Sequence, residues 1–495
     1  MKHFKKLFSY LVALTMVLSL ATFAGVNVHA DTTTYTLTLT GTSTGHTYEV
    51  YQIFTGDLST NDSGKKVLSN VAWGTGVTYT GTDSAATVAE DLGKGTMSIS
   101  DLEDKLTLTT PVKTVESTKD STVIDGLAAG YYLVKDKDGT QKDTQDAYTK
   151  FVVDVVGDTT AAIKSDVPSV EKKVEDKNDS TGETSDWQDS ADYDIGDDVP
   201  YQITGTMPSN IADYTSYKYV FTDTMSKGLT YTAKNAKIKI GDTDVTDKFT
   251  ESVQTNKTDG STTVTWTCDN LKGIGVTIDK NTKVVVTYSA QLNENAVIGA
   301  AGNPNTVDLT YSNNPNKGGE GETGKTPEDK NIVFTYKVDV NKVDQDKKSL
   351  AGAAFKLEKK LTDGSYQPVK EFTADGKTTF EFSGLDDGNY KLTETTTPAG
   401  YNTITPIEFT ISAEHEEKSA DPQLTKFSGN VTSGEAEFTV SKDAGSLTTD
   451  VINKKGSTLP STGGMGTTLL YVAGGILVAC AAAYVIINRK KSAKK

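Results

Sequence analysis

Lysine, a carboxylic acid and asparagine recur in this chain on the core-facing side of strand-like alternations, where polar groups are costly. In a half-buried strand, residues i, i+2 and i+4 share a face. Val170, Lys172 and Val174 share one face and Glu171, Lys173 and Glu175 the other, which selects Lys172 as the inward amine. Tyr219, Phe221 and Asp223 share a face, and so do Asn305, Val307, Leu309 and Tyr311. The pattern returns further on. Phe334, Tyr336, Val338 and Val340 lead to Lys342; Tyr390 and Leu392 lead to Glu394; Leu447, Thr449 and Val451 lead to Asn453. An unpaired inward charge costs several kcal/mol, so these groups are paired or neutralised. Burial drives a lysine toward the neutral, nucleophilic amine and a carboxyl toward the protonated acid. A buried salt bridge is the plain alternative.

The elements that position these residues are strands. The chain has 495 residues, enough for several domains, with a net charge of −16, which argues against nucleic acid or anionic lipid as partners. It is rich in Thr, Asp, Gly and Tyr, contains 12 Pro, and shows no long amphipathic helix ahead of its last apolar run. The fold class is all-β: three tandem β-sandwich domains of immunoglobulin-like type. Residues 1–30 read as a signal peptide, with Lys2, Lys5 and Lys6, an apolar run from Leu11 to Gly25, and Val28-His29-Ala30. The first domain spans 31–168, with a short helix expected within Ala85 to Leu106. The second spans 169–315 and carries an acidic polar loop from Glu175 to Asp198. A linker rich in Gly, Pro and Asn is expected at 316–330, and the third domain at 331–455. Residues 456–495 hold Leu459-Pro460-Ser461-Thr462-Gly463, an uncharged run from Thr467 to Ile487, and a tail of Arg and Lys. That run is long enough to span a bilayer, and the basic tail places the preceding chain outside.

Several stretches resemble known families. LPSTG with its apolar run and basic tail is similar to the LPxTG sorting signal of Gram-positive surface proteins. The resemblance implies that a sortase cuts between Thr462 and Gly463 and passes the Thr462 carboxyl to an amine. Lys342-Val343-Asp344 with Leu350 to Phe355, Tyr390-Lys391-Leu392-Thr393-Glu394 with Pro398-Ala399-Gly400-Tyr401, and Val451-Ile452-Asn453-Lys454 resemble the collagen-adhesin B-type (Cna-B) domain. In that family the Lys and Asn side chains join in an isopeptide bond and the Glu assists, which implies Lys342, Asn453 and Glu394 here. Phe221 to Met225 with Gly228-Leu229, and Asn305 to Pro315, resemble the fimbrial D2 domain of pilus backbone subunits, of Cna-A type. That resemblance implies a bond between Lys172 and Asn305 assisted by Asp223, with Glu251 as the second candidate acid. The first domain carries Lys135 where the third has Glu394, and no Lys occurs between Asp31 and Gly64, so no internal bond is expected there. Backbone pilins place an acceptor lysine at the end of the first domain in a Val-Tyr-Pro-Lys motif. Ala161-Ala162-Ile163-Lys164 stands in that place, with Ala-Ile for Tyr-Pro, and Lys150 is the substitute.

The resemblance implies the major subunit of a covalently polymerised pilus, secreted and anchored to the cell wall of a Gram-positive bacterium. Its implied partners are further copies of itself, pilin-class and housekeeping sortases, accessory tip and base pilins, peptidoglycan and host surface ligands. The alternative is a wall-anchored adhesin that does not polymerise. No enzyme acting on other molecules is expected, because neither a phosphate-cradling Gly loop nor a hydrolase nucleophile motif is present. No cofactor is expected. Asp176, Asn178, Asp179, Asp194, Asp197 and Asp198 offer oxygen ligands but lack the spacing and closing Glu of an EF-hand, so a solvated acidic loop is the expectation. The four His give no zinc spacing, and two Cys, one in the apolar run, give no internal disulfide.

Overall fold

The computed structural model describes residues 33–61, 64–97, 101–102, 104–163, 166–456 and 465–492. The signal peptide, Lys164 and the pentapeptide from Leu459 to Gly463 lie outside the described residues. The described chain is strand-dominated, with sheets that face one another across apolar cores. Tandem immunoglobulin-like sandwiches are the result.

In the first domain, Tyr35–Thr42 lies between Thr159–Ala162, which is parallel to it, and Asp120–Leu127. The facing sheet runs Lys66–Trp73, Thr47–Thr60, Gly130–Asp136, Lys150–Val155, with Lys113–Glu116 paired to Thr47–Thr60. Leu37, Leu39, Val50, Val134 and Val155 are buried between the sheets. The expected short helix is Ala85–Lys94. Ser84 caps it by accepting from the Thr87 amide, and Gly95 ends it at φ 70°, a left-handed conformation that glycine adopts without strain. Ala85, Val88, Ala89 and Leu92, at i, i+3, i+4 and i+7, form its buried stripe.

In the middle domain one sheet runs Val170–Val174, Asp198–Gly205, Val284–Leu292, Lys237–Ile240, Thr243–Asp244, with Leu229–Tyr231 also on Val284–Leu292. The other runs Ser190–Asp192, Asp329–Phe334, Asn303–Ser312, Tyr219–Met225, Thr262–Cys268, Thr250–Thr255. The C-terminal domain sets Thr379–Leu385, Tyr336–Asp344, Ser446–Asn453, Thr439–Ser441 against Tyr366–Phe372, Ala354–Lys360, Gly388–Thr396, Ile407–His415, Leu424–Ser433. Its first strand, Tyr336–Asp344, and its last, Ser446–Asn453, are parallel neighbours. Beyond it, the helix Met465–Ser492 contains an 18-residue window, Leu470–Ile487, long and apolar enough to cross a membrane.

Two expectations are corrected. The 316–330 stretch is not simply a linker: Thr323–Lys325 pairs with Asn303–Ser312, and Asp329–Phe334 inserts between Asn303–Ser312 and Ser190–Asp192. Its turn-forming residues make a reversal rather than a spacer, and the chain passes to the next sheet at Thr335. The 175–198 loop is solvated only in part. It packs on the C-terminal domain, where the Asp189 amide donates to Glu417 O at 2.9 Å and the Ile195 amide to Gly384 O at 3.0 Å. Asp189 and Asp192 are buried and Asp194 half-buried against a domain more than 150 positions away, which no local pattern encodes, while Lys177, Glu183, Asp186 and Asp198 stay exposed.

The parallel pairing makes the last strand part of the C-terminal core, and Leu447 is fully buried there. Leu447→Ala is expected to cost about 2–5 kcal/mol, read as a lower denaturant midpoint. An unchanged midpoint would show that this strand does not complete the core.

Candidate functional site

The middle-domain cluster lies between the two sheets. Lys172 comes from Val170–Val174, at the edge of one sheet. Asp223 and Asn305 come from adjacent antiparallel strands of the other, with Asp223 opposite Val307 and Met225 opposite Asn305. Acid and amide therefore stand as diagonal neighbours on one inner face, and all three side chains are fully buried. Lys172 Nζ bonds Asp223 Oδ2 directly and donates to the Tyr288 hydroxyl at 2.6 Å. That hydroxyl donates to Asp223 Oδ2 at 2.8 Å and accepts from Asn305 Nδ2 at 2.9 Å, so one oxygen touches all three groups. The rings of Tyr201 and Tyr288 stack at 5.2 Å, and Nζ lies 5.0 Å from each centroid. Asp223 Oδ1 and Asn305 Oδ1 have no hydrogen-bond partner.

The C-terminal cluster is wired differently. Lys342 and Asn453 belong to the parallel first and last strands of one sheet, where Lys342 is opposite Val451 and Asp344 opposite Asn453. Asn453 follows Val451 by two residues, so it shares that face. Both are fully buried, and Lys342 Nζ donates to Val343 O and Val451 O, each at 3.0 Å. Glu394 reaches across from the facing sheet. Its Oε2 accepts from Asn453 Nδ2 at 3.0 Å, Thr397 Oγ1 at 3.1 Å, Ile404 N at 3.2 Å and Thr403 Oγ1 at 3.3 Å. Asn453 Nδ2 also donates to Asn402 O at 2.6 Å, which sets the carboxamide's orientation and leaves Oδ1 without a partner. In the middle domain the acid grips the lysine; in the C-terminal domain it grips the amide.

Electrostatics in the middle cluster favour a neutral pair. Loss of solvent drives the Lys172 amine below the ordinary lysine range against the opposing pull of Asp223, and the same burial pushes the Asp223 carboxyl up. Burial likewise lowers Lys342 to about 8, with Glu394 and Asp344 opposing. A neutral primary amine, a carboxamide and an acid in a dry core are the reactants for amide exchange.

Glu251 does not take part: it accepts from Tyr231 Oη at 2.7 Å, the Lys234 amide at 2.8 Å and Trp266 Nε1 at 3.2 Å. Sequence reasoning missed Tyr288. Its parity with Val284 and Val286 marks it as inward, but an inward tyrosine is ordinarily core packing. In the first domain no lysine is buried among the described residues. Lys135 pairs with Asp138 at 3.2 Å and Glu49 at 3.8 Å. Asp136, on the opposite face, instead meets His46 Nδ1 at 2.9 Å and the Thr149 amide at 2.6 Å. Lys150 is half-buried opposite Lys135.

Residues 195–315 match the family model described as Gram-positive pilin backbone subunit 2, Cna-B-like domain. Residues 336–426 match SpaA, prealbumin-like fold domain. The trypsin-resistant surface T6 protein of Streptococcus pyogenes serotype M6 is 28% identical over 264 residues, 49% of this chain and 45% of the relative. The chain thus matches under half the length of that curated relative. Two solved structures share the fold. The T6 backbone pilin of serotype M6 Streptococcus pyogenes aligns at a TM-score of 0.53 and 18% identity, covering 86% of this chain and 99% of the other. The full-length major pilin SpaD from Corynebacterium diphtheriae aligns at 0.50 and 20%, covering 87% and 99%. The middle domain is therefore of the pilin backbone kind, and the C-terminal domain has the prealbumin-like fold.

The Lys342 shift predicts a pH signature. In Asn453→Ala the amine stays free, with a folded pKa of about 8 against its ordinary 10.5. Between those values the unfolded chain binds more protons, so stability rises with pH. Measured against Asn453→Ala/Lys342→Met by denaturation, the gain from pH 8 to pH 10.5 is expected on the order of 2–3 kcal/mol. Parallel pH profiles would place a solvated amine at 342.

Proposed function

We propose that this chain is the major structural subunit of a covalently polymerised surface pilus. The observation that carries the reading is the buried Lys172–Asp223–Asn305 cluster inside a domain that matches the pilin backbone model. Lys172 Nζ attacks the Asn305 carboxamide carbon. The amine proton passes through Asp223 to the departing amide nitrogen, ammonia leaves, and an Nζ–Cγ amide remains. Tyr288 holds acid and amide in one hydrogen-bonded set. In the C-terminal domain Lys342 attacks Asn453 in the same way, with Glu394 orienting the carboxamide and carrying the proton.

The two links serve different purposes. Lys172 and Asn305 lie on opposite sheets, so their amide ties sheet to sheet. Lys342 and Asn453 lie on the parallel first and last strands, so theirs ties entry to exit. Tension along the fibre then bypasses most of the C-terminal domain. Between subunits, a sortase cysteine cleaves Thr462–Gly463, and the Thr462 acyl group passes to the Lys164 amine of the next copy. The last subunit is passed to peptidoglycan instead. The apolar helix holds each subunit at the membrane until cleavage.

Lys164→Arg tests the joint. Guanidinium keeps the charge but does not deprotonate in proteins. Immunoblots of wall extracts are expected to lose the high-mass ladder while monomer still reaches the wall. A persisting ladder would assign the joint to another lysine, Lys150 first. Absence of a ladder in the unaltered protein would favour a single-copy adhesin.

A further inference from the structure

The 175–198 insertion carries an acidic nest against the C-terminal domain. Asp192 ends the Ser190–Asp192 strand, and Asp386 and Asp387 form the turn between Thr379–Leu385 and Gly388–Thr396. One carboxylate oxygen from each of the three lies within 4.8 Å of the others. Asp192 is 3% exposed and Asp386 1% exposed, yet Asp192 Oδ2 and Asp386 Oδ1 have no hydrogen-bond partner. The Tyr336 hydroxyl lies beside Asp192 but forms no well-aligned hydrogen bond with it.

Neighbouring groups account for only part of this charge. Lys359 Nζ donates to Asp386 Oδ2 at 2.8 Å and to Asp194 Oδ2 at 2.7 Å, and Asn178 Nδ2 donates to Asp387 Oδ1. Asp192 also adjoins Asp176 and His415, within 4.8 Å; His415 Nε2 lies 3.6 Å from Asp176, while its Nδ1 meets Ser190 Oγ at 2.8 Å. Five carboxyl groups thus face one lysine and one histidine, so the acids outnumber their basic partners. Bare, buried oxygens at this spacing suit a cation better than one another.

We propose that Asp192, Asp386 and Asp387 bind a calcium ion that fastens the middle domain to the C-terminal domain. All-oxygen donors select a hard cation, and three carboxylates completed by water suit calcium's flexible coordination better than the strict octahedron of magnesium. With few charged ligands the site falls in the weak class of extracellular modules, about 10⁻⁴–10⁻³ M. Its position gives it a purpose. The domains already meet closely here: a Cβ at Gly384, φ +79°, would lie 2.5 Å from Ile195 Cδ1. A cation held by both sides resists their separation. This departs from the metal-free reading of the sequence, because two of the three ligands lie in the other domain.

Equilibrium dialysis of the purified protein against calcium chloride is expected to show one bound ion per chain, with magnesium competing poorly. Calcium is expected to raise Tm by roughly 2–4 °C over a chelated sample. Asp192→Asn/Asp387→Asn should abolish both effects while circular dichroism stays unchanged. Should that variant misfold, Asp387→Asn alone, at the less buried ligand, is expected to weaken binding at least about tenfold. No bound ion at millimolar calcium would overturn the proposal. So would undiminished binding in the variants, or a chelated wild type that is as stable as the calcium-loaded one.

Discussion

A lysine in a dry apolar core cannot remain an ordinary ammonium ion, and the middle and C-terminal domains are organised around that constraint. Lys172 is surrounded by Tyr201, Tyr288 and Asp223 with no access to water, and its amine is pushed toward neutrality. Replacing the trio with apolar residues is often neutral or stabilising in other proteins. Its presence here therefore calls for a role beyond packing, and amide formation is the role these groups can perform. Such a reaction would remove the amine's charge for good and convert the Asn carboxamide into a secondary amide, with ammonia released.

The same three groups are placed by different topology. In the middle domain amine and amide face each other across the sandwich, so the acid approaches the lysine. In the C-terminal domain they sit on parallel neighbouring strands, and the acid crosses from the other sheet to the amide. Each pair brackets most of its domain in sequence. By the chain-entropy argument for cross-links, closing loops of about 100 residues removes on the order of 4–5 kcal/mol of unfolded-state freedom. In the proposed fibre, local resistance to tension matters more. The joints between domains are built separately: Tyr148 N donates to Asn313 O at 2.9 Å at the first, and the 175–198 insertion covers the second.

Much of this was legible in the sequence where strands alternate strictly. Lys172 and Val174 are buried on Val170–Val174 and Tyr219–Met225 is buried at every second residue, so parity alone placed Lys172 and Asp223 indoors and Glu171 and Lys173 outdoors. Parity also put Asn453 and Glu394 on core faces. It says nothing about which sheet a strand joins, so the acid's preference for lysine in one domain and amide in the other was invisible. Tyr288 was hidden for a related reason: packing and hydrogen bonding leave the same pattern in a strand. The acidic insertion and the 316–330 stretch were misread because composition reports turns and charge. It does not report the distant surface that buries them.

The central claim is that Lys172 and Lys342, both fully buried, end as amides. Intact-mass spectrometry of the purified protein tests it most directly. The account predicts a mass below that calculated from the sequence by two molecules of ammonia, with digestion yielding Lys172 joined to Asn305 and Lys342 joined to Asn453. A mass equal to the calculated one would contradict it and leave both clusters as buried polar networks.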